Sequence, residues 1–528
     1  MLHAARLAVL LPLLLSTLAS AAPAEVVGTD RRAAATSSSS SRATTTTASS
    51  RTTSTTKTTS RASTTSPATL SSTRAAVLAA KTTITTKKAT TTTWKKTTTT
   101  TTTTSKKTTT TTRKKATTTA ASSTRTTVTL AATTSAAPAN TCAAVYSGAP
   151  TTVKGTGTLP KPTAFVKRSG QHLKLGSANY RIVGPNIYWA CSDENVNGGA
   201  PSDKARVREA MAIAVAMGAN TVRLHTCGVS VGPNNLYNWE QSLGNFSDAV
   251  AQARDYAIYA AQQYGLRVIL PLTDNYDFYH GGKYSFLQFA GASTANKGAL
   301  FYTHQGALNA FGQYIGALIT RVNTYTGVSY ANDPTILAWE TGNEYGGWRH
   351  AESYPPAAFT SAVLNAIRSV DANHLIIDGT NGILDPNTGA TPEGLKVAGV
   401  DVVTDHAYPR DTGLLQKEVA LAKSAGKAFF IGEYDWTTQH GGSSLDSWLS
   451  MVESSGSYLG DMIWNVMGHD AQCCNFVPHN DGYSLYYPNG NSAADQANIL
   501  KVVQHWYRVT GRAVPSKLPA VACPQPVF

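Results

Sequence analysis

From about Asn179 onward, short apolar runs rich in β-branched and aromatic residues alternate with longer amphipathic segments. Eight such runs occur, and in chain order they read YRIVGPNIYW, NTVRLHT, LRVILPL, TILAWETGNE, HLIIDGT, VVTDHAY, AFFIGEY and DMIWNVMG. The segments between them, such as KARVREAMAIAVAMGA and TSAVLNAIRSVD, repeat apolar residues at the i, i+3 and i+4 spacing of a helix. Gly218, Gly265 and Gly426 lie between predicted helices and the next strands, where glycine is the usual C-terminal cap.

The alternation indicates an α/β fold. Near-continuous apolar strands separated by helices are typical of a parallel sheet covered by helices. Eight such units fit a (β/α)8 TIM barrel, which needs about 250 residues plus insertions. A doubly wound open sheet is the alternative, and it would carry a glycine-rich phosphate loop after its first strand. The first strand here continues into NIYWACSDEN, which has no such loop, so we predict the barrel.

The N-terminal segment predicts the compartment. Residues 1–21 have a short basic start, an apolar run and the small-residue site Ala19-Ser20-Ala21, which together indicate a secretory signal peptide. No later stretch approaches the roughly 18 apolar residues of a membrane span. The final residues, VACPQPVF, lack the hydrophobic tail of a lipid-anchor signal. We therefore expect a secreted, extracellular protein that does not enter a membrane.

Residues 22–140 are predicted to form a disordered, Ser/Thr/Lys-rich stalk. Their composition contains too few large apolar groups to offset the entropy of folding, and in a secreted chain it is typical of O-glycosylation. From Arg31 to Asn140 there are 18 Lys and Arg and no Asp or Glu. Residues 141–528 keep 26 basic and 29 acidic side chains, so the net charge of +14 belongs to the stalk. We expect no nucleic-acid partner; contact of the stalk with a cell wall remains open.

Residues 141–528 are predicted to form one catalytic domain. They contain all six cysteines, and the expected oxidising compartment favours disulfides. Six cysteines allow 15 pairings, among which a bridge between Cys142 and Cys523 would join the ends of the domain. No cysteine or histidine spacing indicates zinc, so no metal site is predicted. One N-glycosylation sequon is present, at Asn245-Phe246-Ser247.

Polar residues concentrate where the predicted strands end. In a barrel of this kind, the active site is built from the C-terminal ends of the strands. The residues at these ends are Tyr188, Trp189, Arg223, His225, Thr226, Thr273, Asp274, Asn275, Asn343, Glu344, Asp378, Asn381, His406, Tyr408, Glu433, Trp464 and Asn465.

Two of these residues are glutamates on opposite sides of the predicted barrel. Glu344 ends the fourth strand and Glu433 ends the seventh. Glycoside hydrolysis needs such a pair, because one carboxyl protonates the leaving oxygen while the other, ionised, attacks the anomeric carbon. Arg223, on an apolar strand, needs a buried carboxylate partner. Glu340, on the same face of its strand as Glu344, is expected to lie deeper and to serve such a partner role.

The remaining candidates complete a sugar site. Asn343 is expected to donate to the 2-hydroxyl of a sugar, and the ring of Trp464 offers an apolar face for stacking. His406 and Tyr408 are two residues apart and share one strand face. The two carboxylates suffice for this chemistry, so no cofactor is expected.

This set of residues resembles glycoside hydrolase family 5, in the clan of retaining (β/α)8 glycosidases. The resemblance spans about residues 174–509 and is carried by NTVRLHT, WETGNE, DHAYP and IGEYDW, followed by Trp464. It implies that Glu344 is the acid/base and Glu433 the nucleophile. It also implies a surrounding set of substrate-binding residues, which are Trp189, Arg223, Asn343, His406, Tyr408 and Trp464.

The pattern is most similar to fungal and plant endo-β-1,4-mannanases, through NIYW, TDNYDFYHGG and HAYP. Those enzymes carry Asn-Asn-Trp after the third strand, where this chain has Asp274-Asn275-Tyr276, and Asn-Glu-Pro-Arg after the fourth, where it has Asn343-Glu344-Tyr345-Gly346. The segment GHDAQCCNFVPHNDGYSLYYP after the eighth strand is a further difference. It is aromatic enough to line a groove, and equally consistent with a disulfide-held surface loop.

We therefore expect a monomeric, secreted mannan endo-1,4-β-mannosidase with a polysaccharide substrate. A cellulase or other β-glucanase of the same family is one alternative. A non-catalytic, polysaccharide-binding wall glycoprotein is another, and the long stalk favours it. Against it, a pocket that only binds has no need of both Glu344 and Glu433.

Overall fold

The structure, a computed structural model, describes residues 159–528. Eight parallel strands form its centre, and they are β1 (Val183–Pro185), β2 (Thr221–Arg223), β3 (Arg267–Pro271), β4 (Ile336–Glu340), β5 (Leu375–Asp378), β6 (Val402–Ala407), β7 (Ala428–Tyr434) and β8 (Leu459–Ile463). From β2 to β8 each strand pairs with the next in chain order, and β8 pairs with β1. A parallel bridge from Asn186 to Arg223 joins β1 to β2 and closes the ring. The predicted TIM barrel is thus confirmed, and the open-sheet alternative was wrong.

Seven long helices surround the strands. They are α1 (Lys204–Met217), α2 (Asp248–Tyr264), α3 (Gln305–Thr320), α4 (Ala357–Arg368), α5 (Thr412–Ser424), α6 (Leu445–Ser454) and α7 (Ala493–Val509). The three predicted glycine caps lie after α1, α2 and α5, each with a positive φ. The segment between β5 and β6 carries a 3₁₀ turn, Glu393–Lys396, where the other connections carry a long helix. Five glycines and two prolines between residues 379 and 399 account for this, because both residue types disfavour a helix.

Shorter elements occupy the two ends of the barrel. Lys167–Ser169, His172–Leu175 and Ala178–Tyr180 form an antiparallel sheet, and two small ribbons pair Ser192–Asp193 with Ala200–Pro201 and Glu240–Ser242 with Asn245–Phe246. The short helices are Glu194–Asn197, His225–Gly228, Lys283–Phe289 and Ala295–Gly298, with 3₁₀ turns at Ala299–Tyr302, Tyr330–Asn332 and Trp348–His350.

The core has two parts. A small cluster fills the barrel and includes Ile269, Leu337, Ile377 and Phe430, together with Leu173 from the antiparallel sheet. The Tyr180 hydroxyl bonds Thr221 Oγ1 at the start of β2, so this sheet lies at the N-terminal ends of the strands. A much larger cluster packs the helices against the outside of the barrel. The opposite, C-terminal ends of the strands are thereby left for the polar residues.

Two disulfides are defined, Cys191–Cys227 and Cys473–Cys523. The second corrects the suggested bridge between Cys142 and Cys523, because Cys523 pairs with the insertion after β8. Cys474 is also disulfide-bonded. The predicted signal peptide (1–21), the stalk (22–140) and Cys142 lie outside the described residues. Within residues 159–528, no helix has both the length and the apolar character to cross a membrane.

A close approach of β4 and β5 yields a stability prediction. A methyl group on Gly379 would overlap the carbonyl oxygen of Gly342, a backbone atom that cannot move without shifting the residues before Asn343. We expect Gly379→Ala to lower the free energy of unfolding by at least about 2 kcal/mol. Gly312→Ala is the matched control, since it lies in α3 with open space around it and should stabilise by about 0.5–1 kcal/mol. Urea denaturation measures both, and equal shifts would contradict the steric argument.

Candidate active site

Glu344 and Glu433 meet at the C-terminal end of the barrel. Glu433 lies in β7 and pairs in register with His406 of β6, while Glu344 follows β4 by four residues. The Nδ1 atom of His406 is 2.7 Å from Glu344 Oε1 and 3.5 Å from Glu433 Oε1. One oxygen of each carboxyl and this nitrogen all lie within 4.8 Å of one another. Both glutamates are buried, with 7% and 5% exposure.

Glu344 is held in an uncommon backbone conformation. Its φ is 55°, in the left-handed region that a non-glycine residue adopts at a cost of about 1–3 kcal/mol. The neighbours explain it: Asn343 bridges to Asp274 after β3, whereas Tyr345 bridges to Thr380 after β5. The backbone therefore switches its bridge partner from the segment after β3 to the segment after β5 within one residue. The turn at Glu344 that this requires directs its carboxyl towards His406.

The two carboxyls differ in their surroundings. Burial, together with the nearby charge of Glu344, raises the pKa of Glu433 to about 7, against the lowering effects of His406 and Arg223. Burial would also raise the pKa of Glu344, but hydrogen bonds from His406 and from the Tyr276 hydroxyl (2.8 Å) outweigh it and lower this pKa. The pair therefore keeps one proton up to near neutrality.

Arg223 is the hub beneath this pair. Its Nε and Nη2 donate to both oxygens of Glu340, at 2.7 and 3.0 Å, and its Nη1 donates to Glu433 Oε1 at 2.8 Å. Further donations reach Asn186 and Asn343 at 3.0 and 2.7 Å. Arg223 and Glu340 are both fully buried. The expectation that Glu340 serves as a buried partner of Arg223 is confirmed.

Asn343 is fixed from two sides. Its Oδ1 accepts from Arg223, and its Nδ2 donates to Asp274 Oδ1 at 3.1 Å. Since an arginine can only donate and a carboxylate can only accept, the orientation of the amide is unambiguous. Glu433 is held comparably, because the Tyr408 hydroxyl donates to its Oε2 at 3.1 Å while Arg223 holds the other oxygen.

Trp464, the residue after β8, belongs to an aromatic group. This ring is partly exposed, stacks on Tyr188 at 5.2 Å between centroids with a 13° tilt, and donates from Nε1 to Asp481 at 2.9 Å. The Tyr188 hydroxyl in turn contacts His479 Nδ1 at 3.0 Å.

Trp189, predicted beside them as a substrate contact, lies elsewhere. It is 0% exposed, with Arg206 over its ring at 4.1 Å and Nε1 bonded to Val466 O at 2.9 Å. No surface of this ring is open to a sugar.

A second aromatic group lies beside Tyr408. The Trp348 ring, on the loop after β4, stacks on Tyr408 at 5.6 Å and is 39% exposed. His440 and Tyr483 pack edge-on or tilted against Tyr408 at 5.2 and 5.6 Å. The Glu433 carboxyl, which accepts from Tyr408, thus lies beside this second aromatic group.

Several site residues were missed at the level of sequence. Asn186, Tyr276, His479, Asp481 and Tyr483 contact the predicted residues directly. Tyr276 follows Asp274 and Asn275 at the end of β3, so its position was a usable signal. His479, Asp481 and Tyr483 come from the insertion after β8, which therefore reaches the site.

Three groups in residues 159–528 bring ligand-type atoms together. They are Glu344 with His406 and Glu433, His225 with Asp274 and His280, and Glu209 with His469 and Cys523. The third is unsuited to a metal because the Cys523 sulfur is in a disulfide. In the first group, Arg223, Tyr408 and Tyr276 already donate to the carboxyls.

Comparison with known proteins agrees with this arrangement. A family model described as GH family 5 beta-mannosidase-like matches residues 163–440, more than half of the chain. Mannan endo-1,4-beta-mannosidase 1 of Oryza sativa subsp. japonica is 29% identical over 262 residues, which cover 46% of this chain and 59% of that relative. Putative mannan endo-1,4-beta-mannosidase 5 of the same organism is 31% identical over 379 residues, covering 62% of this chain and 74% of the relative.

Solved structures share the fold. The endo-1,4-beta-mannanase of Rhizomucor miehei superposes with a TM-score of 0.53 at 21% identity, covering 66% of this chain and all of that one. The endo-beta-1,4-mannanase of Thermotoga petrophila gives 0.51 at 20% identity, covering 64% of this chain and 79% of that one. The match to the family model over residues 163–440, together with the more extensive relative, shows that the chain belongs to glycoside hydrolase family 5, in its β-mannosidase-like group.

Proposed function

We propose that this protein is a secreted, retaining endo-β-1,4-mannanase. The observation that carries the proposal is the pair Glu344 and Glu433, with carboxyl oxygens within 4.8 Å of each other and with Arg223 and His406 bonded to them. Retaining glycosidases hold their carboxyls about 5–5.5 Å apart, whereas inverting ones need about 6.5–9.5 Å for a water. The substrate class is taken from the curated relatives named above, whose printed activity is on mannan.

In the proposed mechanism, Glu433 attacks the anomeric carbon while Glu344 protonates the glycosidic oxygen. The leaving sugar departs, and a covalent glycosyl-enzyme remains on Glu433. Glu344 then takes a proton from water, which attacks the same carbon and releases Glu433. Arg223 and Tyr408 hold the two oxygens of Glu433, and Asn343 donates to the 2-hydroxyl of the sugar bound there. No metal or cofactor takes part in these steps.

The pKa order of the free pair is the reverse of what the first step needs, because the pKa of Glu433 is the raised one. A bound glycan changes this balance. The positive charge that develops at the anomeric carbon favours an ionised Glu433, and the glycosidic oxygen can accept a hydrogen bond only from a protonated Glu344. The proton shared by the dyad therefore moves to Glu344 in the complex, with His406 contacting both carboxyls.

Secretion and the stalk belong to the same proposal. The predicted signal peptide and the Ser/Thr-rich residues 22–140 would place the barrel outside the cell, on an extended O-glycosylated segment. Two disulfides in the barrel are consistent with an oxidising compartment.

The decisive test is sugar release by the full-length protein from mannan, glucomannan, cellulose and β-1,3-glucan. We expect reducing sugar from the first two, and a loss of at least about 10³-fold in kcat for Glu433→Ala. Glu453→Gln is the control, since this residue lies on α6 and pairs with His505 and Arg508 away from the site. Release from cellulose alone would favour the β-glucanase alternative. Binding to glycans without any release would favour the wall-glycoprotein alternative.

The acid/base role of Glu344 can be tested separately. With a 2,4-dinitrophenyl β-mannobioside, whose leaving group needs no protonation, Glu344→Ala should retain far more activity than on mannan. Added azide should accelerate this variant and give a β-glycosyl azide, because the nucleophile is intact. An α-glycosyl azide from Glu344→Ala would instead identify Glu344 as the nucleophile and reverse the two roles.

The pH profile of kcat/KM follows from the shared proton. Activity needs one proton on the dyad, and the pKa of Glu433 is raised to about 7. We therefore expect kcat/KM on mannan to fall above pH about 7, approaching tenfold per pH unit. In Glu344→Ala with the dinitrophenyl substrate, this alkaline limb should disappear, since only an ionised Glu433 is then required. A limb that persists in the variant would assign it to another group, such as His406.

A further inference from the structure

Asp274 follows β3 and is 0% exposed. Two histidines enclose it, His225 from the end of β2 and His280 from the loop after β3, and each is 3% exposed. These three residues form the His-Asp-His cluster.

Both carboxylate oxygens of Asp274 accept hydrogen bonds. Its Oδ1 accepts from Asn343 Nδ2 at 3.1 Å and from the Tyr276 backbone N–H at 3.2 Å. Its Oδ2 accepts from His280 Nε2 at 2.9 Å, whereas His225 Nε2 lies 3.2 Å from the same oxygen without the geometry of a hydrogen bond. Burial would raise the pKa of Asp274, but the two histidines hold it well below its ordinary value. The carboxylate therefore stays ionised.

The ionised carboxylate matters because of Asn343. Arg223 donates to the side-chain oxygen of Asn343. The NH2 group of Asn343 supplies two N–H donors, and one of them donates to Asp274. The second N–H is left for a ligand, and Asn343 retains 5% exposure. The hydrogen bond to Asp274 thereby fixes where this free N–H points.

We propose that Asp274, itself held by His225 and His280, is a positioning residue that directs the free N–H of Asn343 at the 2-hydroxyl of the sugar bound beside Glu433. This inference rests on the proposed function. A hydrogen bond to the 2-hydroxyl strengthens in the transition state, so its loss reduces kcat more than it changes KM.

The same three side chains are also a plausible donor set for a divalent transition metal, because their ligand atoms lie within 4.8 Å of one another. Hydrogen bonding fits better. The 2.9 Å separation of His280 Nε2 and Asp274 Oδ2 is that of an N–H···O bond, and two metal-binding lone pairs at this distance would repel one another without an ion. Elemental analysis of the purified protein distinguishes metal binding from hydrogen bonding.

The experiment compares two nitrophenyl β-mannobiosides that differ only at the sugar bearing the nitrophenol, one with its 2-hydroxyl and one without. On the first, we expect Asp274→Ala, which removes the acceptor of the Asn343 N–H, to lower kcat by about 10- to 100-fold with KM changed less than about threefold. On the 2-deoxy substrate, wild type is already slow, and Asp274→Ala should match it within about threefold, because the interaction that Asp274 controls is absent.

Asp371→Ala is the matched control. Asp371 is another buried aspartate with a histidine partner, His374, and it also accepts from Trp339 Nε1, but it lies just before β5 at the other end of the barrel. Its effect should be equal on the two substrates. Should Asp274→Ala fail to fold in a thermal melt, the pair His280→Gln and His280→Ala replaces it. Glutamine keeps an N–H near the position of Nε2 and should preserve kcat on the 2-hydroxy substrate better than alanine does.

Three results would overturn the inference. An equal loss for Asp274→Ala on both substrates would show a general structural role. A stoichiometric metal in the purified protein by elemental analysis, lost in the His280 variants, would make the cluster a metal site. Failure of wild type to cleave either substrate would reject the proposed function and this inference with it, and that result differs from a cleaving enzyme whose Asp274 variant shows no dependence on the 2-hydroxyl.

Discussion

One buried guanidinium organises the C-terminal end of this barrel. Arg223 donates to side chains that follow or belong to β1, β4 and β7, namely Asn186, Glu340, Asn343 and Glu433. Arginine suits this position because its planar fork offers five donors and it stays charged when buried. A buried cation is costly unless it is paired, and Glu340 meets that need with two parallel hydrogen bonds. Because Glu340 balances the charge of Arg223, the bond from Nη1 to Glu433 orients this carboxylate without fully suppressing its proton affinity.

Burial raises the pKa of Glu433 even though this carboxyl contacts Arg223. Arg223 lowers it, but burial and the charge of Glu344 work in the opposite direction and prevail. Glu344 has no arginine in contact and is held by His406 and Tyr276. The two carboxyls that look equivalent as strand-end glutamates thus have unlike surroundings, which is the condition for one to act as an acid and the other as a nucleophile.

The insertion after β8 has a more direct role than its sequence suggested. The sequence left open whether this segment lines a groove or is a disulfide-held surface loop, and the structure supports both. Cys473 anchors the insertion to Cys523. His479, Asp481 and Tyr483 contact Tyr188, Trp464 and Tyr408, respectively. Asp481 accepts from Trp464 Nε1 and Asn465 Nδ2, at 2.9 and 3.2 Å, and so ties the partly exposed Trp464 ring to this loop. The shape of the cleft on this side depends on a segment outside the repeating barrel units.

The sequence by itself determined the eight strands, their order and most residues that meet at their ends, because the period of apolar residues reports local structure directly. The alternation of side chains along β4 also predicted that Glu340 lies deeper than Glu344 and pairs with Arg223. Tertiary structure decided the rest. Tyr188 and Trp189 follow the end of β1, where the regular alternation stops, so only packing showed that Tyr188 faces Trp464 and Trp189 the core. The sequence placed Asp274 among the strand-end residues of the active site, and only the structure showed that His225 and His280 enclose it. The Arg223–Glu433 bond spans 210 residues, and it exists only because the ring of strands closes, which no local pattern records.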